Sequence, residues 1–318
     1  MFEGFSQVWT PVGLASRVRR KPVRIVVAGV PVVLFRAAGG RIGALVDRCP
    51  HRGAALSLGK VGADGCLECA FHGWRFDADG ANRFVPLNPE AKLDQLGAMA
   101  LPARQLGELV WIYTRPGETA PPEPALPDAL SSPEFRRVYV ERLWRCHWTR
   151  AMENMLDSPH LPFVHRRTIG RGLRRRMTPA SSLEVAWEET PWGGRARAAL
   201  DGDSAGGGAG LEFHRPNIMT LLIPIPGRRL LIHALVIPER AGHTRLLVVG
   251  SRDFNRSPLF DAAFAWTNAV IADEDKAVVE SSGPDEVPPA ADERSVRTDR
   301  ATLQFRKYYY DRLRESAA

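Results

Sequence analysis

Two short segments of the chain each pair a thiol with an imidazole. They are Cys49-Pro50-His51 and, seventeen residues further on, Cys69-Ala70-Phe71-His72. One Cys and one His per loop let two loops close on a metal centre from opposite sides. Zinc also accepts two Cys and two His, so ligand type alone does not decide the metal. The Cys-x-His spacing is tighter than zinc fingers use. Both loops carry Gly or Pro and apolar neighbours, which would shield a centre whose potential depends on exposure and on hydrogen bonds to sulfur. A [2Fe–2S] cluster with two Cys on one iron and two His on the other uses this set, and Cys49, His51, Cys69 and His72 are expected to hold one. Cys66 competes, because Cys66-x-x-Cys69 is itself a metal spacing. A zinc-stabilised binding protein would follow if Cys66 were a ligand.

A second set lies in Glu153-Asn154-Met155-Leu156-Asp157-Ser158-Pro159-His160-Leu161-Pro162-Phe163-Val164-His165. Asn154 and Asp157 are three apart and share a helical face. Pro159 and Pro162 forbid one regular helix through both His residues, so the chain turns and lets His160 and His165 converge. Two neutral imidazoles with one carboxylate make the facial triad of non-haem Fe(II) oxygenases, which leaves positions open for O₂. The carboxylate candidates lie in Ala272-Asp273-Glu274-Asp275-Lys276. Asp275 follows Ile271 by four and precedes Val278 by three, so it shares their apolar face; Asp273 does not. Glu274 passes the same test, and periodicity leaves two candidates.

These residues need elements to position them. Val23–Val27, Pro31–Phe35, Ile42–Val46 and Leu109–Tyr113 are short β-branched or apolar runs punctuated by Gly, the pattern of strands. The Pro-rich stretch Thr114 to Pro124 continues no strand and starts no helix, which predicts a boundary between a domain over 1–118 and one over 119–318. Beyond it, Val138–Val140 is an expected strand and 146–157 an expected helix. Strand-like runs fill 183–237, split by a flexible Gly-rich loop at 201–208. Helical patterns cover 258–281 and 298–315. The fold class is α+β: an all-β domain, then an α+β domain with a central antiparallel sheet. The stretch 283–300 fits no pattern.

The composition narrows the classes. The chain has 318 residues, 44% hydrophobic and 25% charged, as expected of a folded soluble protein. Four Cys are too few for a disulfide-stapled secreted fold. The start shows no signal peptide, and the most apolar stretch, 218–237, is broken by Pro224, Pro226, Arg228 and Arg229, so a cytoplasmic protein without a membrane span is expected. The net charge of +7 is concentrated in residues 1–118, at +5. The clusters Arg17-Val18-Arg19-Arg20-Lys21 and Arg171 to Arg176 lack the interleaved aromatics of single-strand binders, so no nucleic-acid partner is expected. Docking of an acidic protein partner is the alternative.

Cys49-Pro50-His51-Arg52-Gly53 with Cys69-Ala70-Phe71-His72-Gly73-Trp74 resembles the Rieske signature of ring-hydroxylating and demethylating oxygenases. Asn154-x-x-Asp157-x-x-His160-x4-His165, followed by Glu274-Asp275-Lys276, is similar to their catalytic domain, nearest to the type that includes dicamba monooxygenase and vanillate demethylase. The resemblance implies that His160, His165 and Asp275 bind Fe(II), with Asp157 and Asn154 as catalytic-site residues. It also implies a head-to-tail homotrimer in which Asp157 bridges His72 of one subunit and His160 of the next. No Gly-x-Gly-x-x-Gly opens a helix after a strand, so electrons must come from a separate reductase or ferredoxin. The expected activity uses O₂ to hydroxylate or demethylate a small aromatic or heterocyclic substrate. A Rieske ferredoxin-like electron-transfer protein is the alternative, and it leaves the second domain unused. An apolar cavity beside the iron is expected, with His233, Asn217, Trp266 and Asn268 as substrate-binding candidates. His147, His214 and His243 carry no pattern, and Cys146 reads as a buried small side chain.

Overall fold

The computed structural model describes residues 1–202 and 210–314. Residues 203–208 of the expected Gly-rich loop lie outside the described residues. The chain divides into a unit over Met1–Pro124 and a second that starts at Ala125, six residues beyond the expected boundary at 118/119.

The first unit is built from strands. β1 (Trp9–Leu14), β2 (Val23–Val27), β3 (Val30–Arg36), β4 (Ile42–Val46), β5 (Lys60–Val61), β6 (Leu67–Glu68), β7 (Arg75–Phe76), β8 (Asn82–Phe84), β9 (Ala103–Leu106) and β10 (Leu109–Tyr113) form three antiparallel sheets. β2 and β3 join through Ala28 and Gly29, both at positive φ, the two-residue hairpin turn whose twist matches that of the strands. Buried Val33, Phe35, Leu45, Leu56, Leu67 and Phe76 make one core, and Cys49 and Cys69 belong to it.

The second unit wraps helices on one large sheet. β11 (Arg136–Trp144) leads into α1 (Trp148–Leu156), α2 (Leu161–Val164) and α3 (Arg171–Arg176). Then come β12 (Leu183–Thr190), β13 (Gly193–Leu200), β14 (Gly210–His214), β15 (Ile218–Ile225), β16 (Arg228–Arg240) and β17 (His243–Arg252), followed by α4 (Pro258–Val279) and α5 (Arg300–Tyr308). The seven strands form one antiparallel sheet in the order β11-β17-β16-β15-β14-β13-β12. The expected strand at 138–140 is the middle of a nine-residue strand. The helix expected over 298–315 is α5 followed by a wider turn over Tyr309–Arg314.

Helix α4 lies close on the sheet because β17 offers Gly250 at the crossing. A Cβ there would sit 2.5 Å from Phe264 Cε1 and 2.7 Å from Asn268 Nδ2. Two arginines from the sheet anchor its first turn: Arg136 donates from Nε to Asp261 at 2.9 Å, and the fully buried Arg252 donates to the other carboxylate oxygen. Those guanidinium groups hold the Asp261 carboxyl down at about 2, well below its ordinary value. The stretch 283–300 straps α1 to α5. The Val287 N–H donates to Thr149, Arg150 donates to the Pro284 carbonyl and to Glu293, and Arg306 bridges Glu153 and Glu293. Among the described residues, no helix is long and apolar enough to cross a membrane.

Candidate metal centres and substrate cavity

The two Cys-His loops of the first unit share one local design. Cys49 N–H donates to the Ala54 carbonyl at 2.8 Å, and Gly53 N–H returns to the Cys49 carbonyl at 2.9 Å. Cys69 N–H donates to the Trp74 carbonyl at 2.8 Å, and Gly73 N–H returns to the Cys69 carbonyl at 3.0 Å. Each loop closes through a glycine in the left-handed region, at φ +73° for Gly53 and +71° for Gly73, where a side chain is strained. The loops set the donors in pairs. Both cysteines are buried, and their thiols are in contact. Burial, with the Cys69 thiol adding to it, pushes the Cys49 thiol up to about 11. The imidazoles lie outward with ring centres 4.6 Å apart, and His51 stacks on Trp74 of the opposite loop at 4.5 Å. Desolvation, then the neighbouring His72 and Arg52, push His51 below its ordinary value, toward the neutral ring that a metal requires.

This arrangement, with a thiol pair inside and an imidazole pair outside, fits a binuclear cluster with two ligands of one kind on each iron. Cys66, just before β6, has its own surroundings: its N–H donates to Asp64, and its thiol is influenced by Asp64, Asp77 and Arg83.

In the second unit, α1 ends at Leu156 with Asp157 already extended as its C-cap, two residues ahead of Pro159, which could not continue the helix. One turn, α2, follows with Pro162 in its first positions, where a missing N–H costs nothing. His160 and His165 are its N- and C-terminal caps, so a separation of five brackets a single turn and brings the rings to 5.1 Å. Helix α4 supplies the third group. Asp275 Oδ1 lies 3.0 Å from His165 Nε2 and 3.6 Å from His160 Nε2, buried and with no hydrogen bond of its own. These three donors lie within 4.8 Å of one another, the one such trio among the described residues. Lone pairs from two imidazoles and a carboxylate converge there, as a mononuclear metal needs.

Periodicity left Glu274 and Asp275 both open, and the structure gives each a place. Glu274 Oε2 lies 2.8 Å from His165 Nδ1 and accepts from the Thr168 hydroxyl at 2.6 Å. A neutral His165 donating from Nδ1 to Glu274 turns its Nε2 lone pair toward Asp275. Burial lowers the His165 pKa, but Asp275 and Glu274 more than offset it and hold the ring above its ordinary value. Thr168, three residues beyond His165, was missing from the sequence reading and carries no signal there. Asp273 pairs with Arg142 at the surface. Val278 is half exposed; the buried stripe of α4 runs through Asn268, Ala272, Asp275 and Val279. Asp157 faces His160 Nδ1 across 3.6 Å, and the Asn154 amide nitrogen has no partner.

The trio sits against a cavity of about 240 Å³. Its sheet wall alternates by two: Met219, Leu221 and Ile223 on β15, Leu230, Ile232 and Ala234 on β16, Leu246 and Val248 on β17. Its helix wall is Phe264, Thr267, Asn268, Ile271, Ala272 and Asp275, one stripe of α4. These two periods sort the four substrate candidates. Asn268 lines the cavity. His233 falls between Ile232 and Ala234, points to the opposite face and bonds Thr220 at 2.9 Å; burial pushes it down to about 3, so it is a neutral core residue. Asn217 donates to the Val236 carbonyl at 2.8 Å and holds a strand end instead of a ligand. Trp266 lies off the stripe and is 70% exposed.

Comparison with known proteins agrees with this division. Residues 8–98 match the model of the Rieske [2Fe-2S] domain, and residues 144–315 match that of the vanillate O-demethylase oxygenase C-terminal domain. The chain is 29% identical over 302 residues to chlorophyllide a oxygenase of Chlamydomonas reinhardtii, covering 87% of this chain and 43% of that protein. It is 36% identical over 176 residues to the 5,5'-dehydrodivanillate O-demethylase oxygenase subunit of Sphingobium, covering 52% and 40%. It thus spans about two-fifths of the length of the curated relatives it matches. The fold is that of dicamba monooxygenase bound to 3,6-dichlorosalicylic acid, with a TM-score of 0.80 at 22% identity over 98% of both chains.

Proposed function

We propose, from the premise that this chain belongs to the Rieske oxygenases with a vanillate O-demethylase-type C-terminal domain, that it is the terminal component of a monooxygenase acting on a small aromatic or heterocyclic compound. The observation that carries this reading is the convergence of His160, His165 and Asp275 at the wall of an apolar cavity. An electron-transfer protein would have no use for that site. The demethylase and monooxygenase names among the relatives favour insertion of one oxygen atom over dihydroxylation.

In this reading Cys49, Cys69, His51 and His72 hold the [2Fe–2S] cluster, and His160, His165 and Asp275 hold the iron. An iron held there would supply O₂ activation, drawing on electrons from a cluster. The protein's own groups do the rest. Glu274 holds the His165 tautomer. Asp157, next to His160, positions that ring and bridges it to His72 of an adjacent subunit in a closed trimer. Asn154 lines the cavity beside Asp157, its amide nitrogen buried and without a partner. The leucine and isoleucine walls exclude water and seat the substrate. A separate reductase or ferredoxin supplies electrons, and the basic first unit offers it a complementary surface.

Two measurements test this. Metal and sulfide analysis should give three irons and two sulfides per chain; two and two would mark an electron carrier, and zinc without sulfide a structural site. A screen of methoxy- and N-methyl-arenes with a surrogate reductase should release demethylated product. Asp157→Asn should retain both metals yet lose most coupled turnover, and parent-like product formation by that variant would remove Asp157 from the electron path.

A further inference from the structure

We propose that Arg166, Arg167, Arg171, Arg174 and Arg175, beside the candidate iron turn, form a docking surface for an acidic electron-donor protein. The inference rests on the reading of the chain as an oxygenase fed by a separate donor, and it names the surface that receives one.

These five cations fall within ten residues, and no Asp or Glu occurs between Asp157 and Glu184. All five are exposed, and among the described residues none forms an ion pair or a side-chain hydrogen bond. Other surface arginines do find acids: Arg41 pairs with Asp79, Arg142 with Asp273, and Arg229 with Glu134 and Asp253. Arg171, Arg174 and Arg175 are three and four apart, so they crowd one face of α3 and repel. The carbonyl end of α3 offsets part of that repulsion for Arg174 and Arg175. Carboxylates on a partner would offset the rest. Arg174 lies over the exposed Phe163 ring at 5.5 Å, which sets an apolar surface among the charges. Arginine and aromatic side chains anchor protein interfaces, and arginine grips a carboxylate through two parallel hydrogen bonds. A single aromatic gives no repeated stacking platform, so a single-stranded nucleic acid fits less well.

The place suits a donor. Arg166 directly follows the candidate ligand His165, and His160 faces Asp157, where the reading above puts His72 of an adjacent subunit. A carrier seated on the strip stands beside the turn at which both centres meet. The first unit spreads its excess of five charges over 118 residues, whereas the strip holds as many in ten. Compact charged patches match the small, steered interfaces of electron-transfer encounters.

The test is calorimetric titration of the metal-replete protein with an oxidised plant-type [2Fe–2S] ferredoxin, an acidic carrier, without substrate or reductant. Binding should weaken at least about tenfold between roughly 20 and 200 mM salt. Arg171→Glu/Arg174→Glu/Arg175→Glu should cost at least about tenfold in affinity. Lys at the same three positions keeps the charge, should retain most of the affinity, and controls for folding. Arg19→Glu/Arg20→Glu, in the other basic cluster, should change affinity by less than about threefold. The proposal is overturned if the ferredoxin does not bind, if charge reversal on the strip leaves its affinity unchanged, if the Lys variant loses as much as the Glu variant, or if reversal at Arg19 and Arg20 costs as much. It is also overturned if the Glu variant changes the oligomeric state, which would make the strip a contact between copies. Binding is read without turnover, so a protein without oxygenase activity that still takes ferredoxin on the strip would defeat the oxygenase reading and leave this one standing.

Discussion

The two candidate metal centres are assembled in opposite ways. In the first unit, four donors come from two loops of like design. Each is closed by its own backbone hydrogen bonds and its own left-handed glycine, within 24 residues of chain from Cys49 to His72. In the second unit the ligand helix turn and its carboxylate are more than a hundred residues apart, with His165 meeting Glu274 across 109 positions. No local bond holds that pairing. It depends on α4 lying on β17 at Gly250, on Asp261 pairing with Arg136 and Arg252, and on the strap that ties α1 to α5. A local site is as stable as its loops, whereas a distant one is as stable as the sheet and helices between its parts.

That contrast can be broken by removing one centre at a time. The largest effect is expected from Asp275→Ala, which takes away the one ligand from α4. Iron should fall from three to two per chain with sulfide unchanged, and product formation should vanish while the cluster spectrum persists. Loss of sulfide as well would mean the two units are not independent.

Asp261→Asn comes next, because it leaves Arg252 charged and fully buried with its anion gone. It should cost about 3 kcal/mol in the unfolding of the second unit, read by denaturant melts at pH 7. The Asp261 carboxyl is held below its ordinary value, so its contribution is complete above the usual carboxylate range and lost as pH falls toward about 2. The gap between parent and variant should therefore narrow between about pH 4 and 2. A gap independent of pH would assign the loss to packing.

Glu274→Gln should weaken iron retention by roughly 10- to 100-fold, measured by chelator competition, with the cluster unaffected. Unchanged retention would show that Thr168 and packing suffice to orient His165. The smallest effect is expected from Gly73→Ala. Its φ is +71° and its new Cβ would meet Pro86 Cγ at 3.0 Å, at a cost on the order of 1 kcal/mol confined to the cluster loop. Cluster loss on storage should quicken, while iron in the second unit stays put.

The same contrast explains what was legible beforehand. The Cys and His pairs of the first unit could be read directly, since their geometry follows from a loop of five or six residues. His160 and His165 were legible for a similar reason: two prolines mark the turn they cap. Asp275 was legible only as one of two acids, because a helical period places a residue on a face without saying what that face meets. Trp266 and His233 failed as cavity candidates through one omission. An aromatic or an imidazole in an apolar run looks functional until the phase of the helix or strand relative to the cavity is known. One residue of phase turns Trp266 into solvent and His233 through the sheet to Thr220.

The sequence by itself determined the donor types and the chemistry those donors support, because each rests on residue identity or short spacing. Only the tertiary structure decided which carboxylate completes the trio, which acid orients His165, and which side chains wall the cavity. Those depend on distances between elements far apart in the chain, and such distances are set by packing across a sheet that no local pattern encodes.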